Sequence, residues 1–168
     1  MTPEQEQGLR MIGRNAMDSI REMVAALECD YERLEKLRQE QAEAGDVDKG
    51  GWMAKHPVEA KELKELEEAA GECTSREEAE ERIHEDPLSL LYRSGWVGSK
   101  EEMGPEEFEL LLSTGGPATR IVGKVDRGEP TSARVEAQDW FLPWTVCPVS
   151  SDDEAALLTY CRCFCMEW

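Results

Sequence analysis

Thr119-Arg120-Ile121-Val122-Gly123-Lys124-Val125-Asp126-Arg127-Gly128-Glu129-Pro130 passes from a run rich in β-branched residues into a cluster of turn formers. Residues 133–138 then return to a β-rich run. A connection this short joins antiparallel neighbours, because a parallel pair needs a crossover of a dozen or more residues. The same punctuation holds across the C-terminal half. Residues 88–93, 107–113 and 145–149 read as further strands, and Gly115-Gly116-Pro117 reads as another tight turn. The expectation is an antiparallel meander of about five strands.

Toward the N-terminus the period changes from strand-like to helical. Thr2-Pro3-Glu4-Gln5 places a capping residue, a proline at the first helical position and a Gln three residues after the cap. Leu9, Ala16, Met23 and Leu37 fall on one heptad position and Ile20, Leu27 and Leu34 on another, with Val24 and Tyr31 widening the stripe. This predicts one long helix ending at Ala44-Gly45-Asp46, with Asp30 interrupting the seam. The stripe can pack within the chain, the preferred reading, or against a second copy in a homodimer. Residues 45–57 read as a loop with Trp52 and Met53 as anchors, residues 58–70 as a second helix closed by Gly71. Ser75-Arg76-Glu77-Glu78 is a capping box opening a third helix through about His84, before Asp86-Pro87 breaks it.

Ser151-Asp152-Asp153-Glu154 is a further capping box, starting a helix in which Leu157, Leu158, Cys161 and Cys165 can face the sheet. The fold class is therefore α+β. It has a long N-terminal helix and two shorter acidic helices, then the meander covered by a C-terminal helix. Residues 1–86 form a helical acidic region and residues 87–168 the sheet with its helix, the two making one compact unit.

The chain has 168 residues and a net charge of −18, from 37 acidic against 19 basic side chains. Such an excess repels nucleic acid and anionic membranes and attracts basic surfaces, so direct nucleic-acid or membrane binding is not expected. The plain alternative is that acidity serves solubility alone. Met1-Thr2-Pro3-Glu4-Gln5-Glu6 carries acid where a signal peptide carries base, which places the chain in a cytoplasm with its six cysteines reduced.

Motifs for chemistry are sparse. His56 and His84 lie in no catalytic or metal-binding spacing. Cys161, Cys163 and Cys165, with Cys147, could supply four sulfurs, but on a helix Cys163 points away from the other two, and structural zinc draws on C-x2-C knuckles. Gly115-Gly116-Pro117 lacks the Lys-Ser/Thr ending of a phosphate loop. Asp46-Val47-Asp48 lacks the remaining EF-hand ligands, and abundant carboxylates nominate no acid–base pair. No cofactor, metal or catalytic residue is expected; a small enzyme or metal protein built on the cysteines is the weakest class. Trp140, Phe141 and Trp144 complete a core, cover a sheet edge or form a recognition surface. Five tryptophans are many for this length, so one exposed aromatic patch fits.

Residues 58–86 carry twelve acidic and four basic side chains, a net of −8. Helical residues rise about 1.5 Å each and duplex DNA presents a charge about every 1.7 Å, so rows of Glu on adjacent helices approximate a phosphate track. Glu62, Glu65, Glu68, Glu77, Glu78 and Glu81 are the candidate contacts for Lys and Arg of a partner. Asp152, Asp153 and Glu154 are secondary candidates, since capping already accounts for them. Glu32 and Lys36, four apart, and Arg10 with Arg14 partly compensate the first helix.

Leu112-Ser113-Thr114-Gly115-Gly116-Pro117-Ala118-Thr119-Arg120-Ile121-Val122-Gly123, followed by Gln138-Asp139-Trp140-Phe141-Leu142-Pro143-Trp144-Thr145, resembles a family of small acidic bacteriophage and prophage proteins with no assigned catalytic residues. Its pattern is T-G-G-P-A-x-R-I-V-G, then Q-D-W-x-x-P-W-T. The resemblance covers about residues 88–165, and residues 27–34 resemble the N-terminal region of some members. The ending Cys161-Arg162-Cys163-Phe164-Cys165 is less aromatic than the family's. The resemblance implies an infected or lysogenic bacterial host and an inhibitor of its defences, of anti-CRISPR or antirestriction type. The expected function is occlusion of the nucleic-acid groove of a basic defence effector, such as a CRISPR effector, by the acidic helices. The competing expectation is a non-enzymatic adaptor dimerising through the N-terminal helix.

Overall fold

The computed structural model of the chain describes residues 1–44, 49–99 and 103–164. Residues 45–48 of the expected loop and Cys165 of the expected helix face lie outside the described residues. The elements are α1 (Pro3–Glu28), α2 (Tyr31–Glu43), α3 (Lys49–Lys55), α4 (Pro57–Ala70), α5 (Arg76–Glu85), β1 (Ser89–Arg93), β2 (Glu107–Ser113), β3 (Pro117–Asp126), β4 (Glu129–Asp139), β5 (Thr145–Val146) and α6 (Ser151–Arg162). The fold is α+β as expected, with a five-stranded antiparallel sheet in the order β1-β2-β3-β4-β5.

Four local expectations are corrected. The single helix to Ala44 is two helices, because the Asp30 carboxylate accepts the Arg33 backbone N–H at 2.9 Å and starts α2 afresh. The expected loop contains α3 despite Gly50 and Gly51, since Trp52 is buried and stacks on His56 at 5.3 Å. Tertiary anchoring of one large side chain outweighs a helix propensity deficit of about 1 kcal/mol per glycine. The last capping box sits one residue earlier. Ser150 accepts the Asp153 N–H at 3.2 Å and Asp153 accepts the Ser150 N–H at 3.1 Å. Strand β5 is also shorter than residues 145–149.

The chain divides into two compact units, Met1–Val24 with Glu81–Trp168, and Ala25–Glu80. In the second, α2, α3 and α4 close around Leu34, Leu37, Trp52, Leu63 and Ala70, with Cys29, Tyr31 and Leu66 packed at the margin. The Tyr31 hydroxyl donates to the Ala26 carbonyl at 2.9 Å. Burial, with the Cys73 and Cys29 thiols and Glu78 nearby, pushes its pKa up to about 12. Removing the α2 cap by Asp30→Ala is expected to lower stability by about 1 kcal/mol, read from urea unfolding.

In the first unit, one sheet face is apolar. Leu90, Leu110, Ile121 and Val135 align across four strands, and α6 packs on β4 through Leu157, Tyr160 and Cys161. From α1, the Leu9 carbonyl accepts from the Cys147 thiol at 3.5 Å, and Gly13 lies against Cys147 and Val135. The buried Tyr160 hydroxyl donates to Asp86 at 2.5 Å. Of the helical stripe read as fit for this chain or a second copy, Leu9, Ile20, Met23, Val24, Leu27, Leu34 and Leu37 are buried within the chain, and Ala16 and Tyr31 are half-buried. The β3–β4 hairpin turns on Arg127 and Gly128, both at positive φ, the two-residue geometry whose twist suits antiparallel strands.

Candidate functional site

The acidic candidates of α4 divide by the helix period. Leu63, Leu66 and Ala70 turn toward the helical core, which leaves Glu65 and Glu68 exposed on the outer side. Each stands four residues after a lysine, with Lys61–Glu65 at 3.3 Å and Lys64–Glu68 at 3.6 Å. Glu62 lies nearer the core, where Arg33 of α2 donates to both its oxygens at 2.9 and 2.6 Å. Those bonds hold the Glu62 carboxyl below the usual range. Glu67, not among the candidates, is joined to Arg38 at 3.2 Å.

Glu77 and Glu78 stand in the first turn of α5. The Glu78 carboxylate accepts from the Thr74 N–H at 2.7 Å and the Thr74 hydroxyl at 2.8 Å, while Ser75 Oγ accepts the Glu78 N–H at 3.2 Å. Backbone and Ser75 hydrogen bonds likewise lower Glu77. Glu62, Glu65, Glu68, Glu77 and Glu78 share the helical unit, whereas Glu81 is exposed on α5 within the sheet-containing unit. Asp152, Asp153 and Glu154 form the first turn of α6; Asp153 takes the Ser150 N–H and a contact from Arg21 at 3.3 Å.

A second constellation escaped the sequence reading. On the sheet face opposite the apolar one, β2, β3 and β4 place Glu109, Arg120, Arg134 and Glu136 side by side. Arg120 donates to Glu136 at 2.9 and 2.7 Å and to Glu109 at 2.7 Å, and Arg134 donates to Glu136 at 2.8 Å. The Arg120 guanidinium also lies 4.2 Å from the centre of the Trp144 ring. Glu136 is only 5% exposed. Burial pushes its carboxyl upward, but the bonds from Arg120 and Arg134 outweigh that, leaving it below the usual range. Leu91, Arg93, Glu107, Val122 and Lys124 continue this face around a hollow of about 420 Å³. Alternate charges along residues 107–109 and 120–124 were the available signal, but pairing them requires the strand register.

Beside this cluster the link from β4 to β5 forms an aromatic turn. Its Trp140 ring lies where a side chain on Gly116 would stand, 2.0 Å from the position of a Cβ. Pro117 pairs with Asp139 and Ala118 with Gln138. The two motifs that carry the family resemblance thus occupy one corner of the sheet, joined by Gly116 against Trp140 and Arg120 against Trp144. The aromatic patch contemplated from the tryptophan count is here: Trp140 is 69% and Phe141 100% exposed.

His56 stacks on Trp52 and His84 meets the Phe164 ring edge-on at 5.4 Å. Burial raises the pKa of Cys161 well above the usual thiol range. Among the described residues no three His, Cys, Asp or Glu side chains converge as a metal cage, and no helix is long and apolar enough to cross a membrane. No protein-family model, curated protein or solved structure matches the chain.

Proposed function

We propose that this chain is a non-enzymatic inhibitory binding protein, of the phage type suggested by its motifs, which covers the basic nucleic-acid groove of a defence effector with its acidic helices. The observation that carries this reading is the exposed side of α4, where Glu65 and Glu68 face solvent in a segment of net charge −8. They pair with Lys61 and Lys64 in exposed i,i+4 contacts. Such pairs are worth about 0.3–0.5 kcal/mol, so a partner's Lys or Arg displaces them at little cost. Glu62 and Glu78 play a different part. Their intrachain bonds to Arg33 and Thr74 set helix positions, so they present a fixed charge rather than a free one.

This division shapes the test. Glu65→Lys with Glu68→Lys reverses the outer charge and leaves the Arg33–Glu62 clamp and the Thr74–Glu78 cap in place. In a competition assay with labelled DNA on a CRISPR effector, the double variant is expected to compete at least about tenfold more weakly, and wild-type competition to fade as salt rises. Unchanged competition by the double variant rejects acidic-helix occlusion even if the chain inhibits by another route.

A further inference from the structure

The aromatic turn holds a bulky side chain on a strained backbone while leaving its ring exposed. Phe141 has φ +63°, a backbone region that glycine or asparagine adopts readily and bulky residues avoid. Strain of this kind persists where surrounding structure imposes it or where function uses it. Here the surroundings do impose it. Gln138 Nε2 donates to the Leu142 carbonyl at 2.9 Å, the Leu142 N–H to the Asp139 carbonyl at 2.8 Å and the Trp140 N–H to Asp139 Oδ1 at 2.8 Å. Yet the phenyl ring is fully exposed, with its centre 6.3 Å from that of Trp140. A glycine would satisfy the backbone better, and beyond the tilted contact with Trp140 the exposed ring is left to meet something outside the chain.

Charge selects what covers it. A second copy carries the same −18, and nucleic acid and anionic lipid are repelled likewise. On the adjoining sheet face Arg120 and Arg134 are already paired with Glu109 and Glu136, so they offer little to phosphate. A protein with a positive surface is attracted. Rigid aromatic side chains also suit protein contacts, because binding energy concentrates in a few desolvated anchors that lose little freedom on binding.

We infer that the Trp140–Phe141 turn is a preformed anchor that inserts Phe141 into an apolar pocket rimmed by Lys and Arg on a protein partner, with Trp140 as a flanking wall. This rests on the reading above only in requiring a basic protein partner; the contact itself is separate from α4.

Photo-crosslinking from position 141, with p-benzoylphenylalanine replacing Phe141 in the full chain in a bacterial lysate, identifies the contacted surface after mass spectrometry. The expected adducts lie on apolar residues flanked by Lys or Arg of one protein. Titration of that purified protein then compares variants. Phe141→Gly should keep or raise the melting temperature, since it relieves the positive φ, yet weaken binding at least about 30-fold. Loss of affinity with Phe141→Gly but not with Glu65→Lys and Glu68→Lys leaves the anchor standing and removes the acidic-helix mechanism. The converse removes the anchor alone. Adducts to a second copy, to nucleic acid, to lipid or to a pocket without basic side chains overturn the proposal, as does the absence of any protein adduct.

Discussion

Arg120→Ala is expected to lower the unfolding free energy by about 3 kcal/mol, the scale of breaking a buried ion pair from one side. Arg120 is the hub through which Glu109, Glu136 and Trp144 meet. Its removal leaves the 5% exposed Glu136 with Arg134, whose own side chain is more than half exposed. A carboxylate taken from water and left half-neutralised costs far more than an exposed pair gains. Arg120→Lys should recover only a minor part, because an ammonium cannot fork across two carboxylates and lie flat on an indole. The acid limb provides a second check. A carboxyl with a depressed folded-state pKa stabilises the fold above its unfolded value and loses that contribution as pH falls through the folded value. Glu136 is such a group in the wild type. Loss of Arg120 raises it, so the gap between wild type and variant should narrow on acidification. Urea unfolding followed by tryptophan fluorescence, at neutral pH and below the ordinary carboxylate range, measures both. An unchanged midpoint at neutral pH would show that the cluster contributes nothing net.

Gly123→Ala should destabilise the sheet by about 3 kcal/mol or more, at the upper end of overpacking costs. A Cβ at this position would stand 2.0 Å from the Ser132 carbonyl oxygen and 2.5 Å from the Phe108 ring. The first neighbour is backbone in the paired strand β4, and the second is a buried aromatic directly across the ladder on β2. Neither can withdraw without opening the pairing or expelling the ring. For a chain of this length each kcal/mol corresponds to roughly 2–4 °C in the melting temperature. A fall of about 6–12 °C in a thermal melt is therefore expected, and a shift within 2 °C, at about the size of a single kcal/mol, contradicts the packing described.

The local grammar of the fold could be read directly. Thr2 with Gln5, Gly71 and the Asp126–Pro130 turn each act over a few residues, and each has the expected role in the structure. Of the expected Ser75–Glu78 capping box only the Ser75 leg forms, the Glu78 carboxylate turning to the Thr74 N–H and hydroxyl instead. Errors arose where local signals compete closely. Asp30 reads in sequence as a flaw in a continuous seam, yet its carboxylate satisfies a backbone N–H and restarts the helix. Ser150 and Ser151 are both plausible caps, and the choice between them depends on how the preceding chain approaches α6. Among the acids, the sequence could place Glu62, Glu65 and Glu68 on one helix. It could not tell that Arg33, 29 residues away, claims Glu62 and not the others.

The residues themselves determined the α+β order, the antiparallel meander, the acidic helices and the large excess of negative charge, because helix caps, turn formers and charge counts are local or additive. Only the tertiary structure decided what faces what. With the Arg127–Gly128 turn and no irregularity, Arg120 would oppose Val135. A bulge between Lys124 and Val125 on β3 and their partners Ser132 and Pro130 slips the register by one, so that Arg120 opposes Glu136. A one-residue slip moves every side chain to the other face, and it is fixed by burying Ile121 and Val135 together on the other side of the sheet. The same nonlocal pairing brings Gly116 to Trp140 and Arg120 to Trp144, assembling a corner that neither motif contains alone.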